Sequence, residues 1–125
     1  ELFRNLIDNA IHYTPSSEVQ PGVVTVRVLA DRFSGVAVFQ VEDTGPGIPP
    51  SERELVFQPF YRALGTDADG SGLGLPIVLE IAHQHSATVT VDEAHHGRQP
   101  PGACFTVRFA QTVPASDADL AAHAL

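Results

Sequence analysis

Two amides stand one helical turn apart near the start of the chain, Asn5 and Asn9, in the run Asn5-Leu-Ile-Asp-Asn9. On a helix they project from one face, with His12 and Tyr13 next along it. An amide carbonyl oxygen is a neutral, hard ligand of the kind magnesium takes when waters and phosphate oxygens complete its shell. The plain alternative is the solvent-facing side of a helix. A second run, Asp43-Thr-Gly-Pro-Gly47-Ile48, follows a hydrophobic stretch. An ionised carboxylate only accepts hydrogen bonds, so Asp43 suits the exocyclic amine of adenine and repels the carbonyl oxygen of guanine. Gly45 and Gly47 let backbone come close to a flat ring. An ordinary Asp-x-Gly turn is the competing reading. A third run, Gly70-Ser71-Gly72-Leu73-Gly74-Leu75, opens a helix, where free backbone N–H groups suit phosphate oxygens.

Composition narrows the chemistry. With 125 residues the length permits one domain and a modest core. The formal charge of −8 argues against nucleic acid as a partner, since phosphate neutralisation needs clustered cations. The seven basic residues are all Arg and are scattered. A Walker-type phosphate loop requires Gly-Lys-Ser/Thr and is therefore excluded. The glycines of the third run follow a loop rather than a strand, so a dinucleotide fingerprint fails its context as well. No run approaches the roughly 18 apolar residues of a membrane span, and no signal peptide opens the sequence. A lone Cys104 in an alternating run reads as a small buried residue, in keeping with a reducing compartment.

The elements that must position these residues follow from periodicity. Glu1 to Tyr13 predicts an amphipathic helix with Leu2, Phe3, Leu6, Ile7, Ala10 and Ile11 as its apolar stripe, stopped by Thr14-Pro15. It starts without a capping residue, so the chain is expected to begin inside a domain. Val23 to Ala30 and Val36 to Glu42 read as strands joined by a hairpin at Arg32 to Gly35. Ser51 to Phe57 carries a Ser-Glu-Arg-Glu capping-box pattern and predicts a short helix. Ala63 to Ser71 has no periodicity and reads as a mobile loop, within which Ala63 to Asp69 would form a short lid. Gly72 to His85 predicts a helix with Leu75, Val78, Leu79 and Ala82 on one face and Pro76 in its first turn. Thr88 to Asp92 and Ala103 to Phe109 alternate as strands. The expected fold is α+β, a two-layer α/β sandwich with helices on one face of a mixed, largely antiparallel sheet. Residues 1–110 form the expected domain, and 111–125 a tail or weak helix.

Taken in order, with Phe57-Gln-Pro-Phe60-Tyr61-Arg62 between the second and third runs, these motifs resemble the catalytic, ATP-binding domain of bacterial sensor histidine kinases. That group belongs with the gyrase and heat-shock chaperone ATPases, and the resemblance spans Glu1 to Phe109. It implies a Bergerat-type fold and Mg-ATP as the bound cofactor. It implies nucleotide contacts at Asn5, Asn9, His12, Tyr13, Asp43, Gly45, Gly47, Ile48, Tyr61, Arg62 and at Gly70, Ser71, Gly72, Leu73, Gly74 and Leu75. Asn9 would hold the magnesium, Asn5 would position the γ-phosphate region, and Arg62 would supply charge there. Phe57 and Phe60 read instead as core anchors of the following loop. The resemblance further implies a phosphoacceptor histidine on a dimerisation domain of the same protein, a response regulator downstream, and a homodimeric parent anchored in the bacterial inner membrane with this domain in the cytoplasm.

Two positions sharpen that expectation. Hydrolytic relatives have a Glu where this sequence has Asn5; an amide cannot take a proton, so the site is not built to activate water. Asp8 lies about 100° around the helix from Asn9 and is not assigned that role. Where the kinase pattern has Lys or Arg, this sequence has His12, which would make phosphate contact weaker and pH-dependent. The remaining histidines, His83, His85, His95, His96 and His123, lack partners at standard ligand spacing and carry no phosphoacceptor context. An anti-sigma-factor-type serine kinase and a non-enzymatic ATP-sensing module are the rival readings.

Overall fold

A computed structural model describes residues 1–59 and 74–110. The first helix, α1, spans Leu2–Tyr13 and buries Leu2, Leu6 and Ala10, one face at four-residue spacing. Phe3 and Ile11 of the expected stripe remain 44% and 60% exposed, so the apolar stripe is wider than the surface it covers. The helix ends where Thr14 turns extended ahead of Pro15. The Thr14 hydroxyl donates to the Ala10 carbonyl at 2.6 Å, meeting one of the acceptors that a helix end leaves open.

Four strands follow: β1 (Val24–Ala30), β2 (Ala37–Asp43), β3 (Ala87–Glu93) and β4 (Ala103–Phe109). They form one sheet in the order β1-β2-β4-β3, and every pairing is antiparallel, so the described sheet is not mixed. The β1–β2 turn is closed by Asp31, whose Oδ1 accepts the N–H groups of Phe33 and Ser34. A second helix, α2 (Gly74–Gln84), starts with Pro76 in its first turn and buries Leu75, Val78 and Ala82.

Both helices pack over the face carrying Phe39, Val41, Phe105 and Val107, which register aligns across β2 and β4. Leu6, Val41, Val78, Phe105 and Val107 are the largest fully buried side chains. Each stabilises the fold by about 1.5–3 kcal/mol relative to exposure. Edge strand β1 gains much less cover: Val26 and Val28 on the same face are 43% and 74% exposed.

The segment expected as one short helix is instead two 3-10 turns, Pro50–Glu52 and Leu55–Phe57. The turn begins after Pro49, ahead of Ser51, so the anticipated capping box is not made; no side-chain cap bonds to either turn. Phe57 packs edge-on against Phe105 at 6.2 Å, as a core aromatic of the kind the sequence suggested; the loop it is expected to anchor lies outside the described residues. Phe60, the 63–71 loop and the 111–125 segment lie outside the described residues.

Candidate functional site

A cleft opens between the C-terminal half of α1, the end of β2, the start of α2 and the start of β4. Asn9 and Tyr13 come from α1, Asp43 from β2, Gly47 and Ile48 from the loop that follows, and Leu75 from α2. Val56, Ala103 and Phe105 complete an otherwise apolar wall. The cleft is partly open, with a cavity volume of about 60 Å³, so a nucleotide-sized ligand must extend beyond it.

Among the described residues Asp43 is the one buried charged side chain, 5% exposed. Its Oδ1 accepts two backbone N–H groups, from Gly45 at 2.9 Å and Ala103 at 3.0 Å. Among the described residues no hydrogen bond occupies Oδ2. Burial pushes the carboxyl above the ordinary carboxylate range, while the Gly45 and Ala103 N–H groups and the charge of His95 pull it back. The Asp43 turn closes through glycine. A Cβ on Gly45 would lie 2.6 Å from the Tyr13 carbonyl oxygen, so only glycine lets the turn pack on the end of α1. Ile48 is held by Arg53, whose Nε donates to its carbonyl at 3.1 Å while the guanidinium lies 3.4 Å from Asp92.

The structure thus brings together Asn9, Tyr13, Asp43, Gly47, Ile48 and Leu75 of the residues singled out in the sequence. Asn5 is half-buried one turn back on α1 and does not line the cleft; His12 is exposed, its ring edge-on to Tyr13 at 5.3 Å. Gly45 braces the turn rather than lining the cavity. Gly74 begins α2 with open space around it. Tyr61, Arg62, Gly70, Ser71, Gly72 and Leu73 lie outside the described residues. The sequence reading missed Val56, Ala103 and Phe105; the alternation of β4 places Ala103 and Phe105 on the helix-facing side and was the available signal. It also missed a carboxylate beside the paired histidines: His96 Nδ1 lies 3.0 Å from Glu93 Oε2. Among the described residues no group of three His, Cys, Asp or Glu side chains converges on a metal position, and no helix is long and apolar enough to cross a membrane.

The cleft thus ends in a buried carboxylate fixed by backbone donors, on a two-layer α/β sandwich. Residues 1–113 match the family described as histidine kinase-, DNA gyrase B-, and HSP90-like ATPase, and the chain belongs to it. Within that family it is the ATP-binding catalytic domain of the sensor-histidine-kinase type. A signal transduction histidine-protein kinase/phosphatase, MprB of Mycobacterium avium, is 43% identical over 82% of this chain. A solved structure of the mycobacterial sensor histidine kinase MprB superposes with a TM-score of 0.78 at 38% identity, covering 86% of this chain and 68% of that one. Full-length ShkA in complex with AMPPNP gives 0.68 at 30% identity, covering 86% of this chain and 20% of that one. The chain spans about one fifth (19%) of the length of the curated relative.

Proposed function

We propose that this chain binds Mg-ATP in the Asp43 cleft and donates the γ-phosphoryl group to a histidine on a dimerisation domain of the same protein, for relay to a response regulator. The observation that carries the reading is the state of Asp43: two backbone donors saturate one oxygen and leave the other to accept an amine at the end of a ring-wide apolar slot. Adenine offers that amine, and guanine presents a carbonyl oxygen in its place.

The donor set fits magnesium. Asn9 supplies one neutral amide to the cleft, and this ion accepts few protein ligands when phosphates and waters complete its octahedron. When bound, it offsets charge on the phosphoryl oxygens. Asn5 lies one turn from Asn9, toward the γ-phosphate end of the nucleotide. Being an amide, it cannot draw a proton from water, which biases the site toward transfer over hydrolysis. By the motif resemblance alone, Tyr61 and Arg62 are proposed as nucleotide contacts, Arg62 at the γ-phosphate, and the backbone N–H groups of the 70–74 run as phosphate contacts. In the transfer, an acceptor imidazole nitrogen forms a bond to the γ-phosphorus in line as the bond to the β,γ-bridging oxygen breaks and ADP leaves. The parent is proposed to be a homodimer anchored in the bacterial inner membrane, with this domain on the cytoplasmic side.

The test is a radiolabel transfer with γ-labelled ATP, this chain and a purified dimerisation domain from the parent protein. Label should pass to the supplied domain alone, with slow hydrolysis in its absence. Acid-labile phosphate on this chain, or label on a serine, would replace the reading.

A further inference from the structure

A second cavity, about 540 Å³, adjoins the first through the loop after Asp43, and Pro46 contributes to both. That volume lies within the range of small-molecule sites. Its lining comes from three segments remote in sequence: the 15–21 loop, the turn at Thr44 and Gly45, and the loop between β3 and β4.

The polar groups that line it are matched in kind. The Ser16 hydroxyl oxygen accepts the Gly22 N–H at 3.0 Å, and the Thr44 hydroxyl oxygen accepts the Val23 N–H at 2.9 Å. With an acceptor position on each filled by backbone, each keeps its O–H to donate. Ser17 likewise accepts the Gln20 N–H at 3.0 Å, and its own O–H reaches the Gln20 carbonyl only at 3.5 Å. His95 and Arg98 add ring and guanidinium donors. They sit on a turn fixed by backbone bonds from His95 to Pro101 and from Arg98 to His95. Among the described residues Arg98 and Arg32 have no carboxylate within ion-pair distance, whereas Arg4, Arg27, Arg53 and Arg108 each have one; of the two, only Arg98 lines this cavity.

Among the described residues no acidic side chain lines this cavity, in a chain that has 15 Asp and Glu and a net charge of −8. An unpaired guanidinium among hydroxyl donors is the arrangement that holds a compact oxyanion through charge-assisted hydrogen bonds. We infer that this cavity is a second ligand site, separate from the nucleotide cleft, that takes a small phosphate- or carboxylate-bearing anion between Arg98, His95, Ser16 and Thr44. An anion there contacts the same turn that closes Asp43 against Gly45.

The inference is tested by following backbone amides by NMR while titrating inorganic phosphate or citrate at fixed ionic strength with chloride as reference. Phosphate should shift the amides of Thr44, Gly45, His95 and Arg98 along a saturating curve, with and without bound ATP. Citrate saturating the same amides would define the ligand class as any compact oxyanion; saturation by phosphate alone would narrow it to phosphorylated compounds. Arg98→Gln, on an exposed loop, should weaken binding about tenfold at unchanged melting temperature, and Ser16→Ala by a smaller factor. Shifts that never saturate, that are unaltered in Arg98→Gln, or that vanish when ATP is bound would overturn the site.

Discussion

Gly102 sits so close to Asp43 that a Cβ on it would lie far inside contact distance of the carbonyl oxygen of Asp43, and its backbone is left-handed at φ +69°. This one residue immediately precedes β4, lets Ala103 present its N–H to the Asp43 carboxylate, and donates its own N–H to the Gly45 carbonyl at 3.0 Å. Gly102→Ala therefore faces two costs, left-handed strain and a backbone clash. Together they should destabilise the domain by about 2–5 kcal/mol. Gly97 shares the positive φ but has nothing near its Cβ position. Gly97→Ala should cost only the strain, about 1–2 kcal/mol. Urea unfolding of the two variants checks the difference; equal losses would remove the clash from the account.

Asp43→Asn should separate binding from stability. Burial raises the folded-state pKa, so the folded protein holds this proton to a higher pH than the unfolded chain does. The contribution to stability then falls as pH rises from the unfolded value through the raised one, and the ionised carboxylate is unfavourable at neutral pH. Asn keeps the acceptor for Gly45 and Ala103 and removes the charge. The variant should melt at an equal or higher temperature near pH 7 while losing about 1.5–3 kcal/mol of ATP affinity. Calorimetric titration with ATP and GTP reads the second part; an equal loss for both bases would detach Asp43 from adenine.

The same shift sets a pH dependence. Acidification should weaken ATP binding as Asp43 gains a proton, with a midpoint above its ordinary 3.8. Asp43→Asn should lack this component. Affinity measured across the acidic range for both proteins decides it: parallel curves would assign the dependence to other groups.

How far the sequence went can be read from particular residues. Local signals held: Thr14-Pro15 stops α1, and the alternation of Ala103 to Phe109 is β4 residue for residue. Asp43 and Asn9, on different elements, are singled out by the order of motifs and the resemblance it carries, since each alone reads as a turn carboxylate or a solvent-facing amide; the structure brings both to one cleft. What failed depended on neighbours. The valines of β1 alternate as a core strand should, yet the edge position leaves Val28 74% exposed. Ser51-Glu-Arg-Glu scans as a capping box, but Pro49 and Pro50 ahead of it and the turn of Arg53 toward Ile48 and Asp92 give two 3-10 turns. The close approach of Gly102 to Asp43 left no local signal, because the backbone it touches is 59 residues away in sequence.

Arg53 acts on the cleft from outside it. Its Nε bond to the Ile48 carbonyl fixes the strap that forms one wall, while Asp92 is 62% exposed and gives the guanidinium a screened partner. Arg53→Ala should weaken ATP binding by about 1 kcal/mol through the freed Ile48 carbonyl. Asp92→Asn should change affinity by less than about 0.5 kcal/mol. Equal effects of the two substitutions would mean that the ion pair, and not the bond to Ile48, holds the strap.

Asn9→Ala tests the metal assignment directly. Asn9 faces the cleft from the same helix as Tyr13, and its amide oxygen is the donor that magnesium would use. A metal ligand matters only when the metal is there, whereas a contact to base or ribose matters always. The variant should bind ATP much more weakly than the parent chain in magnesium and about equally in EDTA. Asn5→Ala, one turn away and outside the cleft, should leave affinity in EDTA unchanged and reduce transfer to the supplied acceptor. A deficit for Asn9→Ala that is the same in both buffers would move this residue from the ion to the nucleoside.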